Sequence, residues 1–223
     1  GDLVAWFLDG ANWSGPDGIP NRVWEHVQIS VVATLAAAAV ALPPALWLGH
    51  RRRGGFLAVA VVNIGRAVPS FAIMALFLPI SIRLGLGLGF WPTLLALFAL
   101  ALPPIFTNTY TAVRDVDPAM VEAGRGMGMT HFQLLLQLQL PLAAPVIMAG
   151  VRTAVVMSIA IAAIAAYIGA GGLGLFVSEG LQMATNDSVI LGAVAMGLLA
   201  IAADIIFEKL EDWITPTGLK IAR

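Results

Sequence analysis

The amino-acid sequence predicts an all-α protein that crosses a membrane about five times. Hydrophobic residues occupy 59% of the 223 positions and charged residues only 11%, whereas soluble domains are ~45–50% apolar and ~25% charged. A membrane helix needs about 20 mostly apolar residues to cross the hydrocarbon layer. Five stretches meet this length: residues 27–48, 56–78, 91–113, 142–168 and 188–207. Five successive runs of this kind favour a polytopic membrane protein over a soluble helical bundle.

Two of these spans contain paired prolines, Pro43–Pro44 in the first and Pro103–Pro104 in the third. In water a proline interrupts a helix because it lacks a backbone N–H and clashes with the preceding turn. Inside a membrane bundle, neighbouring groups can satisfy the freed carbonyls. We therefore expect both spans to remain helical. The fourth stretch is long enough for its beginning to belong to the loop before it.

Basic residues predict the orientation, because cytoplasmic loops carry an excess of lysine and arginine. Eight lie on one side of the predicted spans: Arg51, Arg52, Arg53, Arg114, Arg125, Lys209, Lys220 and Arg223. The opposite side carries Arg22 and Arg83, while Arg66 and Arg152 fall within spans. We therefore expect the N-terminal segment 1–26 to be extracytoplasmic. The loop 114–141 and the tail 208–223 are expected in the cytoplasm.

Composition and motifs exclude several functions. The absence of cysteine excludes disulfides, thiolate metal sites and cysteine nucleophiles. A net charge of -1 gives no electrostatic basis for binding nucleic acid. Lys209 and Lys220 each follow a residue other than glycine, so the phosphate-binding motif G-x-x-x-x-G-K-[ST] is absent. If the protein uses ATP, another polypeptide has to bind it.

The cytoplasmic loop 114–141 has features of two short helices. Asp117 is a candidate N-cap with Pro118 at the first helical position, and Gly126 and Gly128 are placed to end this helix. Thr130 then begins a second helix as part of a capping box. A simple connection between spans is usually shorter. The pattern predicts a helix–turn–helix across the cytoplasmic surface.

Small residues and one carboxylate suggest what this loop does. Ala123 and Gly124 would allow the backbone of a partner to approach closely, and Glu122 offers a charged acceptor beside them. This arrangement favours docking into a groove on a soluble protein. The alternative is a loop that packs only against its own bundle.

The loop also matches a known motif. Residues 122–128 read Glu-Ala-Gly-Arg-Gly-Met-Gly, and after nine further residues 138–141 read Leu-Gln-Leu-Pro. This pattern resembles the EAA loop of ABC importer permeases, with glycine for the second alanine and leucine for isoleucine. In that family the loop docks onto the ATP-binding subunit. The resemblance implies coupling positions at Glu122, Ala123 and Gly128, together with Gly124 and Pro141, and no catalytic residue.

The resemblance also implies a fold and a set of partners. It predicts a type I ABC importer permease domain over residues 27–207, located in the bacterial cytoplasmic (inner) membrane. ATP and Mg²⁺ would bind to an ABC ATPase dimer rather than to this chain. The other implied partners are a second permease chain, identical or paralogous, an extracytoplasmic substrate-binding protein and the lipid bilayer.

Two further stretches suggest a subfamily. Residues 66–72 (Arg-Ala-Val-Pro-Ser-Phe-Ala) and 168–174 (Ile-Gly-Ala-Gly-Gly-Leu-Gly) resemble osmoprotectant permeases. Those proteins import glycine betaine, choline or carnitine. A permease for methionine or another amino acid is the alternative within the class. A secondary transporter or membrane-embedded enzyme is the alternative from another class, but inverted repeats and clustered acid, base or nucleophilic groups are both lacking.

The glycine pattern at Gly169, Gly171 and Gly174 formally matches a dinucleotide-binding fingerprint. That motif requires a preceding strand and a βαβ unit, which the sequence does not predict here. We interpret the glycines instead as a flexible or re-entrant turn at the outer mouth of the protein, where glycine allows close backbone packing. Gly171 and Gly172 are therefore candidate path or gate residues.

Arg66 is the other candidate for the translocation path or a gate. It lies about ten residues into the second predicted span, and a charge at that depth is a functional candidate by default. An ion pair with a neighbouring helix is the structural alternative. Asn63 and Ser70 share its predicted helix face, and Pro69 lies between Arg66 and the end of that stripe.

Other polar residues have simpler interpretations. His26, His50 and His131 are far apart in the sequence and lack metal-ligand spacing, which favours interfacial histidines. Arg152 and Asp204 lie nearer the cytoplasmic ends of their spans, where a salt bridge or extension of the side chain toward water explains them.

Overall fold

The described part of the chain is helical and contains no strand. The computed structural model describes residues 8–52, 59–60, 62–63, 69–184 and 186–215. After a short 3₁₀ turn at Gly10–Trp13, the helices are α1 (Ile19–Arg51), α2 (Ser70–Arg83), α3 (Phe90–Arg114), α4 (Pro118–Gly126), α5 (His131–Ile168), α6 (Gly174–Gln182) and α7 (Asn186–Ile214).

Four of these helices are long and apolar enough to cross a membrane: α1, α3, α5 and α7. The second predicted span, residues 56–78, lies partly outside the described residues. Its described part contributes to α2, which has 14 residues. Helix α1 has 33 residues, or about 50 Å at 1.5 Å per residue. It begins at Ile19, eight residues before the predicted span, because Gly18 and the following Pro20 favour a helix start there.

Small side chains allow the long helices to approach closely. Ala33, Ala37, Ala41 and Ala45 recur every four residues along α1, and each is at most 2% exposed. This face packs against α3, which also packs against α5. Small interfacial residues are the usual way to obtain dispersion contacts between membrane helices. Helix α1 therefore packs against both α3 and α5, and α7 packs against α5 and α6.

The paired prolines lie inside continuous helices, as predicted. Pro43 and Pro44 belong to α1, and Pro103 and Pro104 are buried within α3. Burial of the second pair against neighbouring helices removes the exposed backbone defect that proline would create in water.

Helix α7 has a large apolar face that none of the described residues covers. The side chains of Ile190, Val194, Leu198, Ile201 and Ile205 are between 45% and 62% exposed. An apolar face of this extent is stable against lipid or another protein, but not against water.

Candidate functional site

The loop 114–141 is hereafter the coupling segment. Its first helix forms as the sequence predicts. The Asp117 side chain accepts a hydrogen bond from the Ala119 N–H at 2.8 Å and so caps α4. Pro118 occupies the first turn, where no backbone donor is needed. The helix ends at Gly126, and Gly128 reverses the chain with φ of +83°. That backbone conformation favours glycine.

The second half of the coupling segment also begins as predicted. Thr130 and Gln133 form a reciprocal capping box, with the Thr130 N–H donating to Gln133 Oε1 at 2.8 Å. The helix does not stop at Pro141, however. It continues as one element through a π-helical turn at Leu134–Gln139 into the long part of α5. The wider π turn immediately precedes Pro141, where a regular α-helix would otherwise have to accommodate the proline. The coupling segment is therefore rigidly joined to a membrane helix.

The small residues of α4 face in different directions. Glu122 and Ala123 are exposed, whereas Gly124 is buried. A Cβ on Gly124 would lie 2.7 Å from Leu134 Cδ2 and 3.1 Å from Met129 Sδ. The sequence interpretation that Gly124 leaves room for a partner is therefore not supported. Its missing side chain allows α4 to pack on the second helix of the same segment.

A polar cluster that the sequence interpretation missed connects α1 to the coupling segment. His50 Nδ1 donates to Gln139 Oε1 at 2.5 Å, and Gln139 Nε2 donates to the Val113 carbonyl at 3.4 Å. His50 Nε2 lies 3.2 Å from His131 Nδ1. Because His50 Nδ1 is the donor to Gln139, a neutral His50 accepts at Nε2 from His131. One chain of hydrogen bonds thus ties three parts of the protein together.

This cluster corrects the interpretation of the histidines. His50 and His131 are 81 residues apart in sequence but in direct contact, while His26 lies near the other end of α1. Among the described residues, no group of three or more side chains has the arrangement of a metal site. The pair was missed because a contact between a helix end and a distant loop leaves no local pattern. Two glutamines, Gln137 and Gln139, lie among five leucines, and the sequence does not indicate which of them is buried.

A basic cavity opens beside the cluster. It has a volume of about 400 Å³ and is lined by Trp47, His50, Arg51, Arg125 and His131. The Arg51 guanidinium stacks over Trp47 at 4.4 Å from the ring centre. Neighbouring Arg52 donates to the Val116 carbonyl at 2.6 Å and so attaches the end of α1 to the start of the coupling segment.

An ion pair marks the beginning of the coupling segment. Arg114 donates from Nε and Nη2 to the two carboxylate oxygens of Asp115, at 2.7 and 3.0 Å. These hydrogen bonds hold the pKa of the Asp115 carboxyl below its usual range. Both side chains are largely exposed, so the pair adds little to stability.

The described candidate path residues share no hydrogen bond with one another. Arg66 lies outside the described residues. Asn63 is helical, and its Oδ1 atom is buried without a partner among the described residues. Pro69 precedes α2 as its N-cap residue, and Ser70 begins that helix.

Gly171 and Gly172 lie in a turn formed by residues 169–173, hereafter the glycine turn, between α5 and α6. Gly169, Gly171 and Gly172 all have positive φ, between +74° and +82°. The turn follows a 3₁₀ helix rather than a strand, in agreement with the rejection of a dinucleotide site. Gly172 N–H donates to Glu25 Oε2 at 2.9 Å, which ties the turn to the beginning of α1.

The coupling segment and the glycine turn lie at opposite ends of α1. Glu25 contacts the glycine turn, and His50 contacts the coupling segment. Twenty-five residues of continuous helix separate them, which corresponds to about 38 Å. The separation is sufficient to place the two sites on opposite faces of a membrane.

The alternative that the sequence offered for Arg152 and Asp204 is resolved in favour of an ion pair. Arg152 Nε and Nη2 each lie 2.5 Å from an oxygen of Asp204, and Glu208 is 3.7 Å from the same guanidinium. This bidentate pair joins α5 to α7 and has no apparent need of a ligand.

Comparison with known families decides the class. Residues 31–216 match the model described as binding-protein-dependent transport system inner membrane component. The chain belongs to this family. It is an inner-membrane permease subunit of a transport system, with the all-helical fold that such subunits share.

Curated relatives cover nearly the whole permease. The chain is 40% identical to the carnitine transport permease protein OpuCB of Listeria monocytogenes, over 91% of this chain and 90% of the relative. It is 39% identical to the choline transport system permease protein OpuBB of Bacillus subtilis, over 89% of each. The osmoprotectant import permease protein OsmW of Salmonella typhimurium is 34% identical, over 98% of this chain and 100% of the relative.

Solved structures share the fold at lower identity. A structure of the MetNI methionine ABC transporter, described as inward facing, contains a chain with a TM-score of 0.77 and 22% identity, over 89% of this chain and 96% of that one. An amino acid ABC transporter gives a TM-score of 0.76 at 16% identity, over 95% and 98%. Both support an ABC importer permease fold.

Proposed function

We propose that this permease imports a quaternary ammonium compatible solute, such as glycine betaine, choline or carnitine, and is driven by a separate ATP-binding subunit. The coupling segment is the observation that supports coupling to an ATP-binding subunit. Its second helix is continuous with a membrane helix, and the segment presents an exposed surface. A force applied to the start of α5 would act on that helix directly, and one applied to α4 would reach it through the packing of Gly124 against Leu134.

The exposed surface of the coupling segment has the composition of a docking site. Glu122 and Ala123 are exposed on α4. Met127 is 78% exposed in the turn that follows, and Phe132 is 70% exposed in the first turn of α5. Large apolar side chains on an otherwise polar segment favour burial by another protein. An ABC ATPase dimer, with ATP and Mg²⁺ bound to it, is the partner that fits this role.

Other features of the chain support the remaining proposed partners. The exposed face of α7 and the small number of spanning helices support a path formed with a second permease chain in the bilayer. The eight basic residues predicted on the cytoplasmic side support an orientation with the coupling segment inside and the glycine turn outside. A substrate-binding protein would then deliver the solute to the end that carries the glycine turn.

Two observations support the solute class. The relatives at 34–40% identity are named for carnitine, choline or osmoprotectants, whereas the methionine transporter is similar at 22%. Aromatic side chains bind quaternary ammonium by cation–π attraction, yet five of the six tryptophans are more than 40% exposed: Trp13, Trp24, Trp47, Trp91 and Trp213. Recognition by a separate binding protein accounts for the lack of an enclosed aromatic site among them.

Uptake by the reconstituted importer tests the solute class. The permease is assembled in proteoliposomes with its ATPase and binding protein, and accumulation of radiolabelled glycine betaine, choline, carnitine and methionine is measured. We expect ATP-dependent accumulation of at least one quaternary ammonium solute and none of methionine. Methionine accumulation alone would overturn the assignment in favour of an amino-acid permease.

A charge reversal tests the coupling surface. We expect Glu122→Arg to reduce the amount of ATPase that copurifies with the permease and to reduce uptake, without changing the affinity of the binding protein for its solute. Lys209→Glu is the matched control, because it reverses an exposed charge on α7 outside the coupling segment. Equal copurification and uptake in the two variants would contradict the docking role.

A further inference from the structure

Glu25 is the polar link between α1 and the glycine turn. Its Oε2 atom accepts hydrogen bonds from Gly172 N–H at 2.9 Å and from Arg22 Nη1 at 2.8 Å, and its Oε1 atom lies 3.3 Å from Asn21 Nδ2. Two of these donors belong to α1 itself. The third comes from a residue 147 positions further along the chain. Glu25 is therefore positioned to hold the glycine turn in place.

The glycine turn lies against the Glu25 and His26 side chains of α1, and Gly171 and Gly172 add no side chain of their own. A Cβ on Gly171 would lie 2.5 Å from Glu25 Oε2, and one on Gly172 would lie 3.1 Å from His26 Nδ1. The backbone of Gly171 and Gly172 therefore lies against the Glu25 and His26 side chains, while Leu173 of the same turn is fully buried and supplies apolar contact. At Gly171 and Gly172 the specific link to α1 is the charge-assisted hydrogen bond from Gly172 N–H to Glu25.

The glycine turn also meets α3. A Cβ on Gly89, at the start of α3, would overlap the Gly169 carbonyl. The turn thus lies where the ends of α1, α3 and α5 converge. A rearrangement of these three helices at this end can therefore break the hydrogen bond between Glu25 and Gly172.

Arg22 lowers the free-energy cost of breaking the hydrogen bond between Glu25 and Gly172. Its guanidinium pairs with Glu25 and also with Asp17. When the Gly172 N–H moves away, the Glu25 carboxylate keeps the cation and the Asn21 amide as partners. A charged group that retains its partners avoids most of the desolvation cost of an unpaired one.

We propose that Glu25 is a positioning residue for the transport cycle: it holds the glycine turn against α1 in the state of this structure and releases it when this end of the permease opens. The inference rests on the proposed transport function, because it makes the glycine turn a moving part at the end of the protein opposite the coupling segment. Release would occur when the coupling segment, about 38 Å away, is displaced by the ATPase.

A reversible crosslink tests whether the glycine turn must move. The chain has no cysteine, so His26→Cys with Gly172→Cys creates a single possible pair. A Cβ on Gly172 would be 3.4 Å from His26 Cβ, close to the spacing of about 3.5–4.5 Å in disulfides. In the reconstituted importer, oxidation is expected to abolish ATP-dependent uptake, and reduction to restore it. The two single-cysteine variants should not respond to the oxidant. Complete crosslinking with unchanged uptake would overturn the proposal.

Substitution of the carboxylate tests the role of Glu25 itself. In Glu25→Ala, ATP hydrolysis without the binding protein should rise by about fivefold, the size of a modest coupling interaction, and the solute imported per ATP should fall. Glu25→Gln keeps an oxygen acceptor for Gly172 and should lie between Ala and wild type. Asp17→Asn is the control, because it removes the other carboxylate of Arg22 without touching the turn; it should stay within about twofold of wild type.

Two outcomes separate the possible failures. If Glu25→Ala only lowers the amount and melting temperature of the importer, with solute per ATP unchanged, Glu25 has a structural role and the proposal fails. If the wild-type importer accumulates none of the solutes tested, the proposed function fails instead. The crosslink experiment is interpreted only with a wild-type importer that transports.

Discussion

The two ends of α1 are held by different kinds of contact. At the coupling segment, side chains meet side chains: His50 contacts Gln139 and His131, and Leu134 fills the space beside Gly124. At the glycine turn, the Glu25 carboxylate holds a backbone N–H, and the backbone of Gly169 packs directly on the backbone of Gly89 at the start of α3. Side-chain contacts can shift by rotamer changes, whereas backbone packed on backbone must move as a unit. The difference suggests that the coupling end adapts to a partner and that the other end changes between discrete positions.

The largest effect is expected from Gly89→Ala. The new Cβ would overlap the backbone carbonyl of Gly169, and Gly89 also has φ of +82°. Neither backbone can move independently, so we expect destabilisation of several kcal/mol, on the order of the larger core-overpacking penalties. Thermal unfolding of the detergent-solubilised permease measures this.

Gly85→Ala is the matched control for Gly89→Ala. Gly85 has a similar φ of +71° but no atom near its missing Cβ. It should cost only the backbone strain, about 1–2 kcal/mol. Equal melting temperatures for the two variants would show that the packing of the glycine turn against α3 contributes nothing.

A smaller effect is expected from Gln139→Leu at the coupling end. Gln139 is 1% exposed, and leucine would leave His50 Nδ1 and the Val113 carbonyl without their partner. Unpaired buried polar groups of this kind cost about 1–3 kcal/mol. Gln137→Leu changes an exposed glutamine of the same π turn and should leave the melting temperature nearly unchanged. A decrease in melting temperature of the same size in both variants would contradict a stabilising role of the polar cluster.

The smallest effect is expected from Gly124→Ala. Its Cβ would crowd the ends of the Leu134 and Met129 side chains, which can change rotamer. We expect a loss of about 1 kcal/mol, at the low end of overpacking costs, and a modest decrease in copurified ATPase. Gly126→Ala has open space at the same helix and serves as the control. A loss for Gly124→Ala as large as that for Gly89→Ala would contradict the contrast between the two ends.

Local features of the candidate site were predictable where short-range chemistry determines them. The Asp117 cap, the Thr130–Gln133 capping box and the chain reversal at Gly128 each depend on residues within a few positions of one another. The inward direction of Gly124 was not predictable, because it depends on where the second helix of the coupling segment lies. The continuation of the helix through Pro141 was missed for a related reason: a π turn leaves no sequence signal of its own.

Long-range contacts account for the remaining differences. The Glu25–Gly172 bond and the His50–His131 contact join residues 147 and 81 positions apart. Each partner is an ordinary polar residue in its own segment. Arg152 and Asp204 were recognised as a possible pair only because two charges within predicted spans need a reason to be there.

The sequence by itself determined that this is a helical membrane permease, and it predicted where its coupling segment lies. Apolar length, the distribution of basic residues and a spaced motif are properties of the chain that do not require neighbours. Only the tertiary structure decided that the coupling segment is continuous with α5, that His50 joins it to α1, and that Glu25 holds the glycine turn about 38 Å away. The physical reason is that a hydrogen bond depends on the distance between two groups in space, and helix packing sets that distance.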